Sequence, residues 1–174
     1  NETGTIVPWL VEAIPTLQNG GVAEDLTSIT WVLRHGIMWS DGTPLTAADV
    51  LFTWTYCTAD GVGCAKSDKY KGIVGIETPD PRTVIIRFDG PKPFPYDAFV
   101  GASAPILQAA QFAECLGPRA PECTQANFAP IGTGPFTVSD FRPNDVAVFD
   151  ANPNYRDPDK PAFDRVVLKG GGDA

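Results

Sequence analysis

The sequence predicts an α+β fold in which mostly antiparallel strands carry short flanking helices, and three observations point there. Residues of β-branched and aromatic type alternate with polar ones around Ile29, Trp31 and Leu33 and again in Thr83-Val-Ile-Ile-Arg-Phe88, the period of two that a half-buried strand requires. One stretch, Ala47 to Thr58, carries strong helix-start signals. Seventeen Pro and seventeen Gly in 174 residues keep the elements short and the turns numerous.

Taken in order, residues 4–14 form a short leading segment with Ile6, Val7, Trp9 and Leu10 available for burial, and Gly20-Gly21 makes a loop. The stretch 28–56 then organises the chain. A strand through Ile29 to Leu33 is followed by a second apolar point at Ile37 and Trp39. The sequence Ser40-Asp-Gly-Thr-Pro44 next reverses direction, Asp41 bonding the turn backbone and Gly42 supplying positive φ. Thr46 with Asp49 makes a capping-box pattern, and Leu45 with Val50 takes the positions of a hydrophobic staple. The helix starts at about Ala47 and presents Val50, Trp54 and Cys57 on one stripe beside Leu51.

Residues 67–72 suggest a short helix carrying Tyr70; Ile73 to Ile76 and Thr83 to Phe88 make a hairpin turning at Pro79-Asp-Pro81. Pro91-Lys-Pro-Phe-Pro95 breaks regular structure, residues 96–100 form a helical turn, and residues 107–115 form a helix of about two turns. Residues 116–130 read as a loop. Residues 134–141 and 146–151 pair as antiparallel strands, and residues 163–169 are the last strand.

Charge and apolar distribution exclude several functions. A formal charge of -8 opposes polyanion binding, which relies on Lys and Arg displacing counterions, so no nucleic-acid partner is expected. No run of eighteen or more apolar residues occurs, so no membrane-spanning helix is expected. The single histidine, His35, lacks an accompanying nucleophile motif. Gly132-Thr-Gly134 lacks the Lys and Ser/Thr of a phosphate loop and leads into a strand rather than a helix. Acid pairs such as Asp157 with Asp159, or Asp60 with Asp68, fit no calcium-loop spacing. No cofactor or metal is expected.

The four cysteines allow three pairings. Local bridges, Cys57 with Cys64 and Cys115 with Cys123, are expected because loops of this size close readily, and they would place the chain outside the cytoplasm. Free buried thiols are the alternative; a four-thiolate zinc site is disfavoured by spacings wider than C-x2-4-C.

Four ordered blocks give a resemblance covering nearly the whole chain: Gly4-Thr-Ile-Val-Pro-Trp-Leu-Val-Glu12, Thr30-Trp-Val-Leu-Arg-His-Gly-Ile-Met-Trp-Ser-Asp-Gly-Thr-Pro-Leu-Thr-Ala-Ala-Asp-Val-Leu-Phe-Thr-Trp54, Pro130-Ile-Gly-Thr-Gly-Pro-Phe-Thr-Val138, and Asn152-Pro-Asn-Tyr155. Together these closely resemble the family 5 extracellular solute-binding proteins, the binding components of peptide and nickel ABC importers. The resemblance implies one lobe of a two-lobed periplasmic-binding-protein-like fold, residues 1–130 being its outer subdomain and 131–174 a truncated part of the central sheet. It implies a monomer that binds a peptide or other small organic solute outside the cytoplasm or in the periplasm, delivers it to a membrane permease, and meets the membrane only through that permease or a lipid anchor. Both ends are then expected to be cut from a longer chain. The cleft-facing segments carried over are 66–70 and 99–103, with Lys66, Tyr70, Phe99, Ala102 and Ser103 as ligand contacts. Gly101-Ala102 offers no charged or aromatic group of the kind some nickel binders use, which favours an organic solute. The alternative from another class is a secreted hydrolase using Ser103 and His35.

Overall fold

In a computed structural model the described residues are 6–59, 64 and 66–170. They form two three-stranded antiparallel sheets. The first takes β1 (Ser28–Val32), β2 (Ile73–Glu77) and β3 (Thr83–Phe88) in the order β1-β3-β2. β3 is central because Ile86 pairs with Ile29 on one side and Ile76 on the other, and all three side chains are buried. The second takes β4 (Phe136–Arg142), β5 (Val146–Ala151) and β6 (Arg165–Lys169) in the order β4-β5-β6. The predicted hairpin at Pro79-Asp-Pro81 is present, with Asp80 Oδ1 accepting the Arg82 and Thr83 amides at 2.8 and 3.0 Å.

Helix α1 (Ala47–Thr58) matches its predicted limits. The Thr46 amide donates to Asp49 Oδ2 at 2.8 Å, the acid arm of the capping box. Leu45 and Val50 are both buried but in different clusters, Leu45 with Leu33, Ile37 and Trp39, and Val50 with the first sheet. The helix buries two faces rather than the single stripe expected. Ala47 and Val50 meet the sheet, while Tyr56 and Cys57 join Phe112, Tyr70 and Cys115 in a separate cluster. Thr53 lies between them, fully buried, and Trp54 and Leu51 are only partly covered. A single-stripe reading assumes one neighbour, and here there are two.

Both expected disulfides are formed, Cys57 to Cys64 and Cys115 to Cys123, and all four sulfurs belong to that second cluster. Three local expectations are corrected. Residues 116–130 are largely helical: a 3-10 segment Gly117–Cys123 runs into α3 (Thr124–Phe128). Pro118 near its start lacks only an amide that would have no partner there, so it suits a helix start rather than breaking one. Residues 96–100 are not a helical turn, since Phe99 takes a left-handed φ of 60°. The predicted helix over 107–115 is α2 (Ala109–Phe112), tightening into a 3-10 turn Ala113–Cys115.

The Ser40-Asp-Gly turn is tied to the segments that flank the second sheet. The Ser40 amide donates to Gly132 O at 2.9 Å and Asn154 Nδ2 donates to Ser40 O at 3.0 Å, so the Asn152-Pro-Asn-Tyr155 block docks on the block that begins with Thr30. Among the described residues no helix is long and apolar enough to cross a membrane.

Candidate functional site

An apolar groove of about 720 Å³ opens between the leading segment and residues 98–106. Each wall is fixed by sequence features remote from it.

The leading segment lies along the end of β1, with Val11 bridging Leu33. The Arg34 amide donates to Leu10 O and the Glu12 amide to Val32 O, at 3.0 and 2.9 Å. The Arg34 side chain adds donations to Val11 O and Pro8 O at 2.8 and 3.0 Å. One guanidinium thus satisfies two carbonyls of a segment that has no regular structure of its own. Val7 and Trp9, expected in the core, are instead 43% and 58% exposed at the groove mouth. The Arg156 guanidinium sits 4.3 Å from the Trp9 ring centre, a cation–π contact that holds this exposed ring in place.

The opposite wall is shaped by backbone. Phe99 is left-handed, an unfavourable state for a bulky residue, and Gly101 follows at φ 82°. Phe99 is held there by edge-on packing on Tyr70 with ring centres 5.2 Å apart, and by Lys69 Nζ donating to Val100 O at 3.1 Å. Downstream, the Leu107 amide donates to Thr53 Oγ1 at 2.8 Å, the Ala109 amide to Asp49 Oδ1 at 2.9 Å, and Gln108 Nε2 to Asp41 Oδ2 at 2.6 Å. Asp49, Thr53 and Gln108 are buried. Asp49 Oδ1, Thr53 Oγ1 and Gln108 Nε2 tie this wall to the helix and the turn, while Gln108 Oε1 is buried without a partner. Hydrogen bonds from Thr43 and then Gln108 hold the Asp41 carboxyl below its usual range.

Trp31, Leu33, Val50 and Val84 make the floor, and among the described residues none in the lining carries a titratable side chain. Of the five expected contacts, Phe99 and Ala102 line the groove; Lys66, Tyr70 and Ser103 lie outside its lining. Lys66 and Ser103 are exposed, whereas Tyr70 is packed beneath Phe99, and burial pushes its phenol pKa up. Tyr70 therefore supports the wall through its neighbour. No local pattern marks the leading segment as a groove wall, because Arg34, which holds Val11 O and Pro8 O, lies more than twenty residues away in the chain.

His35 is exposed on the turn after β1, and among the described residues no three His, Cys, Asp or Glu side chains converge as a metal site would need. The groove can enclose and orient a solute.

Comparison with known proteins bears on the fold and the family. The chain is 29% identical over 150 residues to a Brucella ovis protein that carries the name of an ABC transporter peptide-binding protein, covering 84% of this chain and 27% of that one. The fold matches Listeria monocytogenes OppA bound to peptide with a TM-score of 0.76 at 18% identity, over 98% of this chain and 35% of that one. It matches NikZ from Campylobacter jejuni in complex with Ni(L-His) nearly as well, TM-score 0.73 at 21% identity, over 95% and 31%. The chain thus spans roughly a quarter to a third of the length of the proteins it resembles. The model of the bacterial extracellular solute-binding proteins, family 5 Middle, matches residues 5–174, and the chain belongs to that family.

Proposed function

We propose that this chain is part of the receptor of an ABC importer: a wall of the solute cleft that binds a peptide or another small organic solute for delivery to a membrane permease, without catalysis of its own. The observation that supports this best is the groove itself, lined among the described residues without a titratable group, and tied to the most strongly signalled elements of the sequence. A ligand pocket of this size with fixed aromatic walls is what recognition needs. In this reading residues 1–130 form the outer subdomain of a lobe and 131–174 the beginning of its central sheet. The protein acts outside the cytoplasm, as two disulfides suit, and works as a monomer.

Nickel chelates are the second reading, since the fold resembles a nickel receptor as well as a peptide receptor. The lining argues for the organic solute, because it offers neither imidazole nor carboxylate to a metal complex. Ser103 and His35 are both exposed and neither lines the groove, which gives the hydrolase reading no support.

Mass spectrometry of small molecules released on denaturing the purified protein tests this. An organic solute in near-equal molar amount is expected. Covalent labelling of Ser103 by a serine-reactive phosphonate would instead establish the hydrolase.

A further inference from the structure

Resting on the receptor reading above, we propose that the part of the solute seated in this groove is uncharged and apolar, as in a short peptide of consecutive leucine or phenylalanine side chains, and that charged side chains are rejected there. Among the described residues the lining carries no charge and no side-chain hydrogen-bonding group apart from the indoles of Trp9 and Trp31. A cation entering it would give up its hydration and find no partner, and an anion would find only the Arg156 guanidinium already stacked on Trp9, a cost that apolar side chains do not meet. Space is left for such side chains: a Cβ at Gly101 would meet no heavy atom within 4 Å, and Ala102 beside it is exposed. Trp9 and Phe99 give the two walls broad apolar surfaces, packed against Arg156 and Tyr70 respectively. Preorganised aromatic walls lower the ordering cost of binding.

Net charge and groove lining favour opposite ligands. At -8 the whole chain attracts cationic peptides from a distance, whereas the lining selects neutral apolar ones. Attraction by net charge fades with salt, and apolar burial does not.

The test is an amide-resolved NMR titration of this 174-residue chain with acetyl-trileucine-amide, acetyl-trilysine-amide and acetyl-triglutamate-amide at about 0.15 and about 0.5 M salt. Trileucine is expected to shift Phe99, Gly101 and Ala102, at both salt levels, with an affinity about tenfold or more above either charged peptide at the higher salt. Ala102→Glu, at an exposed position, should weaken trileucine about tenfold while leaving the unliganded spectrum otherwise intact. If a charged peptide binds in the groove as tightly at high salt, the apolar assignment fails and the receptor reading stands. If no peptide shifts any groove residue, the apolar assignment fails, and the absence of any released solute in the mass-spectrometric experiment would take the receptor reading with it. Shifts that follow protein concentration alone would mean that a second copy fills the groove, which also overturns the proposal.

Discussion

The two sheets were equally legible as strands yet are buried to very different degrees. In the first, Ile29, Ile76, Val84, Ile86 and Phe88 are all buried, α1 covers one face, and both disulfides sit in the adjoining cluster. In the second, no residue of β4, β5 or β6 is fully buried, and Phe141, Val167 and Leu168 are 42%, 48% and 57% exposed. Neighbouring strands pair along their length in both, each sheet carrying one irregularity in register, at Ile73/Gly75 and at Val138/Asp140. Sheet pairing and core burial are therefore separable here: alternation specifies which residues share a face, and a second layer decides whether that face leaves water.

The sharpest way to break this comparison is a matched pair of truncations. Phe112→Ala removes a side chain that is 2% exposed in the disulfide cluster and should cost about 3–5 kcal/mol. Phe149→Ala, on a half-buried strand of the second sheet, should cost about 1–2 kcal/mol. Guanidinium unfolding followed by circular dichroism measures both, and equal losses would show that the second sheet is as well packed as the first.

A somewhat smaller effect comes from replacing Cys115 and Cys123 together by Ala. Removing the constraint from this short loop should lower stability by roughly 2–3 kcal/mol. All four tryptophans lie in the region up to Trp54, so their fluorescence should report the shifted midpoint. Amide exchange in β4 to β6 should be unchanged if the two regions open separately.

The smallest effect is one of pH. Asp41 titrates below its ordinary value of 3.8 because Thr43 and Gln108 donate to its ionised form. A depressed carboxyl contributes stability that is complete above the unfolded value and lost as pH falls through the lower folded one. The wild type should thus lead Asp41→Asn by a constant margin above pH 3.8, and that margin should shrink on acidification below it. A margin that persists at lower pH would mean that Asp41 acts by shape rather than charge.

Much of the local structure was legible because its causes are local. Thr46 and Asp49 announce α1 to the residue, Asp41-Gly42 announces the turn, and the two cysteine pairs lie seven and eight residues apart, close enough to find each other without help from the rest of the fold. The site was half legible. Phe99 and Ala102 were expected in the cleft and line the groove, but Tyr70 was expected at a ligand and packs beneath Phe99, and Trp9 was expected in the core and stands at the mouth. An aromatic side chain suits a core and a cleft equally well, so its type does not say which it joins. The short helices within 116–130 were missed because Gly, Pro and Cys there signal a turn, while closure by Cys115–Cys123 supports compact helical turns.

What the chain determined by itself is therefore the succession of strands, turn and helix and the disulfide pairing, which depend on residues within about one turn or one hairpin of each other, and the kinship carried by four blocks whose order needs no fold to be read. What only tertiary structure decided is which apolar residues face a void. That depended on Arg34 capturing the carbonyls of Pro8 and Val11, and on Asp49, Thr53 and Gln108 pinning residues 107–109. All five contacts join positions more than twenty residues apart, so they exist only where the fold brings distant polar groups together and burial requires each to be partnered.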